Sequence, residues 1–169
     1  MIAAQPVIAI RPAVAADAGL ILAFIRELAE YEQLAHEVVA DEAGLAAQLF
    51  GEHPRAEVLI AEVDGTAAGF ALFFHNFSTF LGKPGLYLED LFVRPAFRGH
   101  GLGKRLMVRL AQIALERDCG RFEWWVLDWN SPAIDFYRSL GAVGMDEWTV
   151  QRVSGDALKA LAAAHPDQR

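Results

Sequence analysis

Residues 86–104 constrain the chain most. They read Leu-Tyr-Leu-Glu-Asp-Leu-Phe-Val and then Arg94-Pro95-Ala96-Phe97-Arg98-Gly99-His100-Gly101-Leu102-Gly103-Lys104. The apolar and aromatic run predicts a strand, and Pro95, which has no amide proton to give to a ladder, ends it. From Lys104 onward, Leu106, Leu110, Ile113 and Ala114 recur at helical spacing. Between strand and helix lie three glycines at alternate positions. Glycine lets main-chain amides turn inward, and the first amides of a helix have no internal partner. Such a corner is a cradle for phosphate oxygens.

Elimination narrows the ligand. A P-loop needs Gly, four residues, Gly-Lys and then Ser or Thr, but Gly103-Lys104 is followed by Arg105 and the first glycine's place is held by Arg98. The dinucleotide fingerprint fails as well, because the residue three after Gly101 is Lys104 rather than glycine. What remains is Arg, two residues, Gly, one residue, Gly. This pattern resembles the pyrophosphate-binding loop of the GCN5-related N-acetyltransferases (GNAT superfamily), which hold acetyl-coenzyme A.

The chain has 169 residues, 54% of them hydrophobic, enough for one core and too few for two comfortable domains. A single domain over residues 1–169 is therefore expected. The net charge of −7 argues against nucleic acid as the main partner and fits a cationic small molecule. One cysteine, Cys119, cannot form an internal disulfide and suits a reducing cytoplasm. Residues 1–12 lack the charged-then-apolar pattern of a signal peptide, and no stretch has the length to span a bilayer, so no membrane association is expected.

Alternating apolar residues at 7–11 predict a first strand, and Asp17 precedes an apolar stripe of Leu20, Ile21, Phe24, Ile25 and Leu28 that predicts a helix to about Tyr31. That helix ends on Glu27, Glu30, Tyr31 and Glu32, carboxylates at the negative end of the dipole whose mutual repulsion an amine would relieve. A second helix begins at Asp41 and stops at Gly51. Residues 57–63 and 66–74 read as strands joined by an Asp64-Gly65 hairpin turn, and residues 75–84 as a loop. The helix after the glycines runs to about Asp118. Residues 122–127 then read as a strand buried on both faces, with a helix over 133–140 capped by Ser131 and opened by Pro132. A last strand at 148–153 and a helix at 156–164 complete an α/β domain whose central mixed sheet is largely antiparallel and flanked by helices.

A second constellation strengthens the resemblance. Asn130-Ser131-Pro132-Ala133-Ile134-Asp135-Phe136-Tyr137, followed by Leu140-Gly141-Ala142, matches the superfamily's Asn, short helix, Phe-Tyr pair and Gly-Ala. Arg11-Pro12, the Glu27–Glu32 run, Gly51-Glu52-His53-Pro54, Tyr87-Leu88-Glu89-Asp90 and Trp129-Asn130 are similar to the spermidine/spermine (diamine) and thialysine acetyltransferases. The resemblance implies that Leu91, Phe92 and Val93 offer main-chain groups to the pantetheine arm. It implies that Arg98, Gly99, His100, Gly101, Leu102, Gly103 and Lys104 hold the pyrophosphate, that Asn130, Ser131, Pro132 and Ala133 line the coenzyme, and that Tyr137 stands beside its sulfur. Tyr31, Glu32 and Glu89 match substrate contacts, with either Asp146 or Glu147 as a further acidic one. A homodimer is also implied.

A primary amine of pKa near 10.4 is protonated at neutral pH, and freeing it costs roughly 4–5 kcal/mol, so a base is required. Glu89 is the expected base, directly or through water. Strand alternation sends Asp90 to the opposite face unless a bulge intervenes, which makes it a structural partner. Tyr137 is the expected donor to the departing thiolate. The five histidines show no paired metal-ligand spacing, so no metal is expected. The expected activity is acetyl transfer to a small cationic amine in a ternary complex. The alternatives are a protein-lysine or N-terminal acetyltransferase and a non-catalytic coenzyme A-responsive module.

Overall fold

The computed structural model describes residues 5–164. Backbone contacts divide them into two compact units, with the boundary between Trp125 and Val126. The first unit holds one five-stranded sheet in the order β1 (Ile8–Pro12), β2 (Glu57–Val63), β3 (Thr66–Ser78), β4 (Lys83–Val93) and β5 (Arg121–Trp124). Pairing is antiparallel from β1 to β4 and parallel between β4 and β5. Helices α1 (Ala18–Tyr31), α2 (Glu42–Phe50) and α3 (Leu102–Glu116) belong to the same unit.

Phe70 and Phe73 lie an odd number of positions apart on β3 and so face opposite sides of the sheet. Phe70 stacks on Phe24 of α1 with ring centroids 5.2 Å apart, in a core shared with Ile21, Leu28, Ile60 and Phe92. Phe73 lies beneath Arg117, which follows α3 and pairs with Glu57. The other side of α3 is exposed, while Leu102, Leu106, Leu110 and Ile113 are buried. The sheet is thus covered on both faces, as the sequence pattern requires. Arg94 locks the end of β4 to α1. Its guanidinium donates to both Glu27 oxygens (2.7–3.2 Å) and to the Ala67 carbonyl (3.0 Å), and it stacks 4.6 Å over Phe24. Glu27, expected to be one of several repelling carboxylates, is therefore neutralised.

Several boundaries differ from expectation. The supposed loop at 75–84 is mostly ladder, since β3 runs to Ser78 and β4 starts at Lys83 with Gly82 closing a tight turn. The helix after the glycines begins at Leu102, so Gly103 is helical. The strand expected at 122–127 is Arg121–Trp124. It is half-buried rather than enclosed, and Trp125 is 58% exposed.

The second unit contains α4 (Ser131–Ser139) and α5 (Gly155–Ala163). Asn130, not Ser131, caps α4: its side-chain oxygen accepts from the Ala133 N–H (3.3 Å). The strand expected at 148–153 is irregular chain. Its β-branched and aromatic residues have the propensity, but they find no ladder partner among the described residues and stay exposed. Among the described residues no helix is long and apolar enough to cross a membrane.

Truncating the stacked ring tests this core. Phe70→Ala is expected to lower stability by about 3–5 kcal/mol in urea unfolding. A loss well under 1 kcal/mol would contradict the packing described.

Candidate active site

The ladder between β3 and β4 slips by one residue in its middle. Leu72 pairs with Asp90 but Phe73 pairs with Leu88, so Glu89 is an extra residue in a β-bulge. The slip answers the objection that neighbouring strand residues face apart. Glu89 is exposed and Asp90 half-buried, yet their charges interact, and that of Glu32 from the end of α1 joins them. Burial, then the charges of Glu89 and Glu32, push the Asp90 carboxyl up to about 7. Burial also raises Glu32. Asp90 accepts no hydrogen bond among the described residues, so the structural role expected for it is not what the structure shows.

Beyond the bulge, one edge of β4 has no strand partner among the described residues. Strand β5 pairs with it only from Gly85 to Leu88. The Arg94 N–H donates across to Ala68 of β3 (2.8 Å). Strand alternation then turns the Phe92 amide toward β3 as well, and those of Leu91 and Val93 toward the free edge. Of the three residues expected to offer main-chain groups to the pantetheine arm, Leu91 and Val93 have amides on this edge, and the Phe92 amide faces β3. Phe92 instead contributes a buried ring. The Val93 carbonyl accepts from Arg98 Nε (2.9 Å).

A 3-10 turn at Pro95–Phe97 carries the chain from β4 to the glycines. Gly99 (φ 84°) and Gly101 (φ 72°) are left-handed, and a Cβ added at either would meet nothing within 4 Å. The corner is therefore open, and its glycines are required by backbone conformation rather than by crowding. Gly101 precedes α3, leaving the amides of Leu102, Gly103 and Lys104 without intrahelical partners. Lys104 and Arg105 have no ion pair among the described residues. Free amides, left-handed glycines and unpaired cations fit a pyrophosphate. The Arg98 side chain is turned elsewhere, over the rings of Tyr31 (5.2 Å) and Phe92 (5.8 Å). His100 is exposed.

In the second unit Asn130 is buried as the α4 cap, with Ser131, Pro132 and Ala133 in the first turn it caps. Tyr137 is half-buried, its ring 5.3 Å from that of Phe136. Asp146 and Glu147 are exposed on irregular chain.

Comparison with known proteins decides the family. The model of the acetyltransferase (GNAT) family matches residues 22–142. The chain belongs to the GNAT family. It is 40% identical to a thialysine N-epsilon-acetyltransferase of Sus scrofa over 90% of this chain and 96% of the relative. It is 34% identical to the L-ornithine N5-acetyltransferase NATA1 of Arabidopsis thaliana, over 90% of this chain and 86% of the relative. Among solved structures, an integron cassette protein from the mobile metagenome of V. cholerae superimposes with a TM-score of 0.78 at 30% identity, covering 93% of this chain and 98% of that one. As a GNAT enzyme, the protein is an acetyl-coenzyme A-dependent N-acetyltransferase.

Sequence reasoning singled out the glycine corner and Glu89 and set Asp90 aside as a structural partner. Only the register between β3 and β4, which the two adjacent carboxylates do not announce, brings their charges within range of each other. The Asp90 carboxyl should titrate by carbon NMR with a midpoint of about 7, and Glu89→Gln should lower that midpoint by removing a like charge. Because the folded value exceeds the unfolded one near 3.9, Asp90 costs the fold stability as pH rises from about 4 to about 7, and Asp90→Asn should remove that part of the pH dependence. A midpoint near 4 would contradict the site described.

Proposed function

We propose that the enzyme acetylates a primary amine of a small cationic substrate, a polyamine, a diamine or a thialysine-like amino acid, by direct attack in a ternary complex. The observation that carries this reading is the bulge. It sets Glu89 and Asp90 beside an open main-chain edge and within range of Glu32, so a cationic amine finds concentrated negative charge where the edge amides are free. The relatives named for thialysine and L-ornithine support the same reading.

The thioester of the co-substrate supplies an activated acetyl group. Leu102, Gly103 and Lys104 would hold its pyrophosphate by main-chain amides, with Gly99 and Gly101 shaping the corner. Leu91 and Val93 would pair with the pantetheine arm along the free edge of β4. Asp90 and Glu32 hold the incoming ammonium. Glu89 takes its proton, directly or through water, so that the neutral amine attacks. The Leu91 amide donates to the acetyl oxygen as negative charge develops there. Tyr137 returns a proton to the sulfur. Asn130 supports that step by capping the helix that carries Tyr137. Val143, Met145, Trp148 and Leu161 are exposed, and such apolar residues fit an interface between two copies of the chain in a cytoplasmic homodimer.

Thiol release from acetyl-coenzyme A against a panel of amines tests the reading. Tyr137→Phe is expected to lower kcat by about 10²-fold or more while changing the coenzyme KM by no more than about twofold. An unchanged kcat would remove the acid role, and no thiol release with any small amine would overturn the function.

A further inference from the structure

Strand β1 is the outermost strand of the sheet, and its far edge has no strand partner among the described residues. The ladder to β2 fixes which groups lie on that edge. The Asp64 N–H donates to the Val7 carbonyl and the Ala13 N–H to the Val58 carbonyl, both at 2.8 Å, and both pairs keep the register that sets Ile8 opposite Val63. Antiparallel pairs alternate, so residues 7, 9, 11 and 13 turn their main-chain groups to β2, and the N–H and C=O of Ile8 and Ile10 point outward. Pro12 has no N–H and ends the edge.

The side chains of Ile8 and Ile10 share one face of the strand. With Arg105, Val108 and Arg109 of α3 they line a groove of about 550 Å³. Helix α3 packs on β2, β3, β4 and β5, and the groove runs between its flank and β1. One end meets the glycine corner at Gly101; Arg109 stands roughly 12 Å further along the helix axis. Charge in this groove is one-sided. In a chain of net charge −7, no Asp or Glu lines it, and Arg105 is exposed without an ion pair among the described residues. Arg109 holds Glu116 at 2.8 Å, but that pair is exposed and therefore weak, so another carboxylate can replace it.

We propose that this groove takes an extended acidic segment of another protein, added to the sheet as a strand on β1. A strand laid there runs about 4.8 Å outside β1 with alternate side chains facing the groove. Its main chain answers Ile8 and Ile10, its groove-facing carboxylates reach Arg105 and Arg109, and their stems cover Val108. A second copy of this chain fits less well. Pairing β1 on β1 about a two-fold axis would set Arg105 and Arg109 of one copy against the same cations of the other, and charges beside an edge guard against such pairing. The inference stands apart from the amine acetylation proposed above.

The test titrates isotope-labelled full-length protein, with coenzyme A present throughout, and reads its amides by NMR. The probe is a capped octapeptide of alternating Glu and Thr. One control replaces each Glu by Lys; the other is N-methylated throughout, which keeps the charge and removes every N–H. The Glu-Thr peptide is expected to shift the Ile8 and Ile10 amides and slow their exchange by about tenfold or more, and both controls to leave them unchanged. Arg109→Glu is expected to weaken the Glu-Thr peptide by about tenfold, the order of reversing an exposed charge contact. Equal binding of the N-methylated peptide would reduce the contact to diffuse charge and overturn the strand addition. Shifts confined to Leu102, Gly103 and Lys104 would return the groove to the coenzyme. Changes at Ile8 and Ile10 that grow with protein concentration, without peptide, would give the edge to a second copy. Each of these, like an absence of binding at about millimolar peptide, overturns the proposal.

Discussion

Strand β4 has to satisfy two demands that a regular strand cannot meet together. It must pair on one side with β3 along its length, and on the other it must pair with β5 only as far as Leu88 and then stay unpaired. The one-residue slip at Glu89 lies at the point where the second demand changes. A bulge adds local twist and bends its strand, which turns β4 away from the parallel neighbour it has just left. The same extra residue gathers two carboxylates that alternation would have separated. The free amides of Leu91 and Val93 and the acidic pair at Glu89 and Asp90 thus have one cause.

Charge at the site is managed by pairing some groups and leaving others alone. Arg94 satisfies Glu27 and pins α1 to the end of β4, which places Glu30, Tyr31 and Glu32 along the strand's open end. Glu32 and Asp90 receive no such partner among the described residues, and both carboxyls are held above their ordinary range by burial. A site that keeps carboxyls unpaired and partly dry loses stability to do so, and a bound cation restores what is lost. The glycine corner is built on the opposite principle, with free helix-start amides and with Lys104 and Arg105, which have no ion pair among the described residues.

Much of this was legible in the sequence. The corner could be read from Pro95, the glycine spacing and the apolar repeat after it, because each has a local physical cause. The Asp64-Gly65 hairpin was legible for the same reason. What could not be read depends on partners distant in the chain. The bulge is a property of the register between β3 and β4, and nothing at Glu89 announces it. Residues 148–153 carry strand propensity but no partner, and propensity without a ladder does not make a strand. Asn130 and Ser131 are both good caps, and only backbone geometry chooses between them. Arg98 belongs to the glycine motif by spacing, yet its side chain lies over the rings of Phe92 and of Tyr31, the latter far away in the chain.

Amide hydrogen exchange read by NMR, with and without coenzyme A, tests the central claim that the bulge leaves one specific edge of β4 free. The account predicts that the Leu91 and Val93 amides exchange fast in the free protein and slow strongly on binding, along with Leu102 to Lys104, while Phe92, already bonded toward β3, changes little. Uniform slowing of Leu91, Phe92 and Val93 in the free protein, with no further change on binding, would contradict it.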